Sequence, residues 1–121
     1  MNPHHMILFY VKDPLASAAF YSRLLGAEAV DPSPGFAMFR VNDGTMLGLW
    51  NSDGVLPKPV AAAGASELAF HVGSIDEVDA YHQTWSQLGV AIIQQPTQMD
   101  FGYTFTGVDP DGHRLRVFAA S

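Results

Sequence analysis

Cysteine is absent from this chain of 121 residues. That excludes disulfides, zinc–thiolate sites and cysteine nucleophiles, and it leaves the redox compartment open. Basic residues are scarce: six Lys and Arg stand against twelve Asp and Glu, a formal charge of −6 with a pI near 5.0. Such a balance argues against nucleic acid or an anionic membrane surface as the main partner. No apolar run approaches the ~20 residues of a membrane-spanning helix. Met1-Asn2-Pro3-His4-His5 has no basic segment followed by an apolar one, so no secretory signal is expected and the cytoplasm is the expected compartment. Charged residues make up only 15%, while hydrophobic ones reach 48%, a composition that does not produce intrinsic disorder. One domain is expected at this length, burying roughly two thirds of the surface its unfolded chain exposes.

What is present is a repeat. Phe9-Tyr10-Val11 is answered by Phe70-His71-Val72, and each is followed by a helical stretch that stops at Leu25-Gly26 or Leu88-Gly89. Val41-Asn42-Asp43-Gly44 is answered by Val108-Asp109-Pro110-Asp111-Gly112, and each is followed by a short apolar-rich run. Periods of this kind decide the architecture. The first module spans residues 5–51, a Gly- and Pro-rich linker 52–65, and the second module 66–120.

Within module one, strands are predicted over Met6 to Val11, Ala27 to Val30, Phe36 to Val41 and Thr45 to Trp50, the last two a hairpin around Asn42-Asp43-Gly44. Asp13 caps a helix with Pro14 in its first turn. That helix carries Leu15, Ala18, Ala19, Leu24 and Leu25 and stops at Gly26. In module two, Glu67 to Val72, Val90 to Gln94, Gly102 to Val108 and Arg114 to Ala119 read as strands. A helix capped by Ser74, with Glu77 three residues on, lies between the first two. The expected fold is therefore α+β: two βαβββ modules forming a curved, cup-shaped sheet with helices outside.

Alternation along the strands separates two faces. One is uniformly apolar: Ile7, Phe9, Val11; Leu47, Leu49; Leu68, Phe70, Val72; Leu115, Val117. The other mixes Met6, Leu8, Tyr10, Met46, Gly48 and Trp50 with Glu67, Ala69, His71, Arg114, Arg116 and Phe118. The apolar set should pack on the helices. The mixed set has the make-up of a small-molecule pocket.

These modules, with Val11-Lys12-Asp13 through Phe20-Tyr21 and Leu24-Leu25-Gly26 and the late turn Asp109-Pro110-Asp111-Gly112-His113, resemble the vicinal oxygen chelate superfamily. It includes glyoxalase I, extradiol dioxygenases, fosfomycin-modifying enzymes and bleomycin resistance proteins. The segment Phe101-Gly102-Tyr103-Thr104-Phe105, leading through the Asp109 turn to Arg114-Leu115-Arg116-Val117, is similar to the phenazine-antibiotic resistance proteins. Those bind and sequester the drug without altering it. Metal-using members of the superfamily take His or Glu from four cup-facing strand positions, and the resemblance places these on Met6, Gly48, Glu67 and Arg116. Only Glu67 can ligate a divalent cation, so no metal and no other cofactor is expected. A Glu67–Arg116 pair is expected instead, the alternative being two rim residues that reach to water.

The leading reading is a binding protein with no catalytic residues, whose ligand is a planar, aromatic, antibiotic-like molecule. Trp50 offers the largest stacking surface, with Tyr103, Phe105, Phe36 and Phe118 as partners. Met38 and Met46 supply an adaptable wall, and the missing side chain at Gly48 leaves room for a flat ligand. Arg40, Arg116 or His71 would meet a ligand carboxylate, with Glu67 beside them. A one-residue register slip in strands 36–41 or 102–108 would reverse which residues face inward. His82 is placed on the surface of the second helix and His113 in a structural turn. An enzyme of the same superfamily, a lyase, isomerase or dioxygenase, is the alternative, and a scaffold with a vestigial cup is a third reading. The resemblance also implies a two-fold homodimer, which would cover edge strands.

Overall fold

Local capping sets both helices. In a computed structural model, which describes residues 4–121, the Asp13 carboxylate accepts hydrogen bonds from the Leu15 and Ala16 amides at 3.1 and 3.2 Å. Pro14 then opens helix α1 (Pro14–Leu25). Gly26 closes it with φ 64°, a left-handed conformation that glycine adopts without steric cost, and donates to Ser22 O. Ser74 Oγ likewise accepts from the Glu77 amide at the start of helix α2 (Ile75–Gln87).

Among the described residues there are also seven strands: β1 (His5–Val11), β2 (Phe36–Asn42), β3 (Thr45–Asn51), β4 (Glu67–His71), β5 (Ala91–Met99), β6 (Gly102–Val108) and β7 (Arg114–Ala120). They divide between two units, Met1–Ala62 and Ala63–Ser121, and the division falls inside the segment expected as a linker. The first unit holds a three-stranded sheet in the order β1-β3-β2, the second a four-stranded sheet in the order β4-β7-β6-β5. In each, the first strand runs parallel to the last and the remaining pairs are antiparallel. The repeat read from the sequence is thus a repeat of topology.

Two elements differ from expectation. The strand expected over Ala27 to Val30 contracts to one antiparallel bridge between Val30 and Met38. Asp31 turns the chain with φ 45°, and Pro32 and Pro34 offer no amide to extend the ladder. The strand expected over Val90 to Gln94 instead runs on to Met99 through Pro96. Proline is tolerated there because β5 is an edge strand whose register slips at Ile92/Gln94 and Gln94/Thr97.

Each unit has its own core. Helix α1 buries Pro14, Ser17, Ala18 and Tyr21, a stripe at helical spacing. Tyr21 is fully buried among Phe9, Phe39, Leu47 and Leu49, with its ring centroid 6.4 Å from those of Phe9 and Phe39. In the second unit Val78 and Trp85 of α2 lie over Phe105, Leu115 and Val117. The Trp85 ring meets Phe105 edge-on at 5.1 Å and Phe70 at 6.2 Å.

Candidate functional site

Strand register places the mixed set on the sheet faces opposite the helices. In the first unit it forms three rows across β1, β3 and β2: Tyr10, Trp50, Phe36; then Leu8, Gly48, Met38; then Met6, Met46, Arg40. Facing partners in a ladder share a face, so this is one apolar, aromatic and methionine surface with a guanidinium at its end. Tyr10 and Trp50 meet edge-on at 6.1 Å. Met6, Leu8 and Tyr10 are each more than 40% exposed.

Gly48 corrects the expected geometry. A Cβ at this position would lie 2.6 Å from Leu8 Cδ2 and 2.8 Å from Phe36 Cζ. The glycine therefore makes room for its own neighbours, which close over it, and it offers no slot for a ligand. Flat surface on this face belongs to the Tyr10–Trp50–Phe36 row.

The second unit is polar. Its rows run Glu67, Arg114, Val108; then Ala69, Arg116, Thr106, Gln94; then His71, Phe118, Thr104, Thr97. Glu67 leans diagonally and grips Arg116 with both oxygens, at 2.7 Å from Nε and 3.3 Å from Nη2. Arg116 Nη1 donates to Gln94 Oε1 at 2.9 Å and to Thr104 Oγ1 at 3.2 Å. Gln94 Oε1 also accepts from the Thr106 hydroxyl, and the Thr104 hydroxyl donates to Val117 O. The expected pair is present, and it forms the centre of a network. Beside it the His71 ring stacks on Phe118 at 4.8 Å and 12°. Phe101 meets Phe118 edge-on and lies 5.7 Å beneath the Arg116 guanidinium. An open depression of about 270 Å³ is lined by Ile93, Gln94, Thr106, Arg114 and Arg116.

Tyr103 and Phe105 are on the other side of this sheet. Phe105 is fully buried and opposite Val117, with its ring against His82 and Trp85 of α2. Tyr103 donates its hydroxyl to Asp79 of α2 at 2.8 Å. That hydrogen bond, with some desolvation and the nearby carboxylate charge, raises the phenol above its ordinary value. Neither residue belongs to a stacking clamp on the mixed face. The threonines were the signal: Thr104 and Thr106 alternate with the two aromatics and pair with Phe118 and Arg116. Their register with Phe118 and Arg116 puts both threonines on the mixed face. His82, expected at the surface, packs edge-on against Phe105 with Nε2 buried and unpartnered among the described residues. His113 is structural as expected: its Nδ1 lies 2.9 Å from Asp109 Oδ2, while Asp109 Oδ1 accepts from the Asp111 and His113 amides.

The four positions that the family resemblance assigns to metal ligands hold a thioether, a glycine, a carboxylate and a guanidinium. Both oxygens of the carboxylate are committed to that guanidinium. This donor set does not fit a divalent metal. Among the described residues no group of three His, Cys, Asp or Glu side chains is arranged to hold one elsewhere. Among the described residues no helix is long and apolar enough to cross a membrane.

Comparison with known proteins agrees with the topology. The family model for the Glyoxalase/Bleomycin resistance protein/Dioxygenase superfamily matches residues 3–117. The phenazine antibiotic resistance protein EhpR of Enterobacter agglomerans is 28% identical over 114 residues, covering 91% of this chain and 86% of that protein. A protein of Agrobacterium tumefaciens solved by NMR in solution is 46% identical, with a TM-score of 0.86 over 96% of this chain and 95% of its own. A glyoxalase-related enzyme of Fulvimarina pelagi shares the fold at 22% identity, with a TM-score of 0.84 over 98% and 88% of the two chains.

Proposed function

We propose that this chain, which belongs to the Glyoxalase/Bleomycin resistance protein/Dioxygenase superfamily, binds and sequesters a planar aromatic antibiotic-like molecule without a metal and without altering it. The observation that carries this reading is the state of Glu67. It is the one carboxylate in the strand rows of the mixed faces, and both of its oxygens are held by Arg116. A carboxylate held in that way is a poor metal ligand and a poor general base. Stacking surface, in contrast, is plentiful: the Tyr10–Trp50–Phe36 row in one unit and the Phe101–Phe118–His71 group in the other. The similarity to a phenazine antibiotic resistance protein supports a resistance-type role.

Trp50 is the residue to test. Titration with a phenazine carboxylate should quench its fluorescence saturably. Trp85 is buried against Phe105 and Phe70 and should respond little. A stacked aromatic is worth about 1–3 kcal/mol by analogy with base stacking, so Trp50→Ala should weaken binding about tenfold or more. Mass spectrometry should recover the ligand unchanged after prolonged incubation. A converted ligand would favour the enzymatic reading, and an absence of saturable binding would reject sequestration. We also propose a two-fold homodimer, because β1 and β4 are each paired on one side only within their sheets. A monomer by light scattering at micromolar concentration would reject this.

A further inference from the structure

We infer that the depression beside Arg114 is a subsite for an anionic group, so that an aromatic acid bound on the mixed face of the second unit is anchored by Arg114 rather than by Arg116 or His71. This inference rests on the binding reading above and concerns the second unit alone. Arg114 and Arg116 project from the same face of β7, and Glu67 stands directly in register with Arg114. Glu67 nevertheless gives both oxygens to Arg116. Arg116 also serves Gln94 and Thr104, so most of its five N–H donors are committed inside the protein. The Arg114 guanidinium is exposed and has no hydrogen bond or ion pair among the described residues.

The result is a local imbalance. Two guanidiniums and one carboxylate leave a net positive charge at the depression, in a chain whose formal charge is −6. A guanidinium presents a planar fork that matches a carboxylate through two parallel hydrogen bonds. Ile93, 49% exposed, supplies an apolar wall to the same depression. A volume of about 270 Å³ accommodates an acid group with part of the ring that bears it. A permanent cation with uncommitted donors beside an apolar wall selects an acid group attached to a ring over a neutral analogue. His71 is already stacked on Phe118.

The test uses two probes on the full chain, a phenazine carboxylate and the matching neutral carboxamide. The wild type should prefer the carboxylate by about tenfold to a hundredfold, the range expected for a charge-assisted pair. Arg114→Gln should reduce carboxylate affinity to that of the carboxamide, with circular dichroism unchanged. Arg23→Gln, which removes one exposed cation from α1, should keep the preference. Raised salt should narrow the preference in the wild type and leave it flat in Arg114→Gln. Equal affinity for the two probes in the wild type, or a preference that survives Arg114→Gln, would overturn the inference and leave sequestration standing. Failure of both probes to bind would overturn the sequestration reading, and this inference with it.

Discussion

Removing Arg116 should destabilise the second unit by an amount that depends on Glu67. The Arg116 side chain is 15% exposed and the Glu67 side chain 33%. A fully buried pair broken on one side costs about 3–5 kcal/mol. This pair is not fully buried, and once Arg116 is gone the Glu67 carboxylate can turn to water. Gln94 Oε1 retains the Thr106 hydroxyl at 3.0 Å, and the Thr104 hydroxyl retains Val117 O at 2.8 Å. What is lost is one charge-assisted bidentate contact, two weaker contacts from Nη1 and the packing over Phe101. The expected cost of Arg116→Met is about 2 kcal/mol. At this chain length each kcal/mol is worth about 3–5 °C, so the melting temperature should fall by about 6–10 °C. Glu67→Gln should cost less, because the amide oxygen still accepts from Nε. The double substitution should be milder than the sum of the two by about 1 kcal/mol, read from urea midpoints at constant slope. Losses that add to within about 0.3 kcal/mol would refute the coupling.

Three further outcomes follow from the geometry. Gly48→Ala should cost no more than about 1 kcal/mol, because the new methyl meets only the ends of the Leu8 and Phe36 side chains, and Leu8 is exposed enough to turn aside; a loss of about 3 kcal/mol in thermal unfolding would show that these side chains are held in place. Tyr103 has its phenol raised by the Asp79 hydrogen bond, so the protonated form stabilises the fold. That contribution is complete below the ordinary value of 10.0 and is lost as pH rises through the raised one. Asp79→Asn should shift the Tyr103 titration downward in phenolate absorbance, read as a difference against Tyr103→Phe. Zinc, nickel or manganese should raise the melting temperature no more than non-specific binding does; a saturable rise abolished by Glu67→Ala would refute the metal-free reading.

Much of this was legible in the sequence, for physical reasons that can be named. Helix boundaries were, because Asp13-Pro14, Gly26 and Ser74 act through contacts within four residues. The facing rows on β1, β3, β4 and β7 were, because each strand has one uniformly apolar set and the parity of the alternation fixes the rest. The face of β6 was harder to read. Both of its sets look buriable, since Thr104 and Thr106 are covered by the Arg116 network while Tyr103 and Phe105 are covered by α2. Aromatic residues drew the expectation to the wrong side, and only the pairing with β7 decides it. The partners of Arg116 were hidden for a related reason. Gln94 sits on an edge strand whose register slips on both sides of it, so counting by twos from β5 does not find it. The space over Gly48 depends on the lengths of Leu8 and Phe36 side chains from two other strands, which strand alternation does not encode.

The shared topology makes the differences between the units interpretable. Leu8 faces Gly48 in the first unit as Ala69 faces Arg116 in the second, and Tyr10 faces Trp50 as His71 faces Phe118. Each middle row thus pairs a large side chain with a small one, with the large one on opposite strands in the two units. In the first unit the small residue is on β3 and neighbours fill the space above it. In the second it is on β4, and the long side chain is Arg116 on β7, whose guanidinium reaches away from β4 to Thr104 and Gln94. In the end rows the parallel pair carries two rings in both units, Tyr10 and Trp50 edge-on at 6.1 Å and His71 and Phe118 stacked at 4.8 Å. The first rows carry the chemical difference: Met6 faces Met46 where Glu67 faces Arg114. A thioether pair adapts to shape, whereas a carboxylate drawn away from one of two guanidiniums leaves a cation without a partner. Discrimination by charge therefore belongs to the second unit and adaptable apolar contact to the first, and exchanging Glu67 for Met should strip Arg116 of its pair without creating an anion site in the first unit.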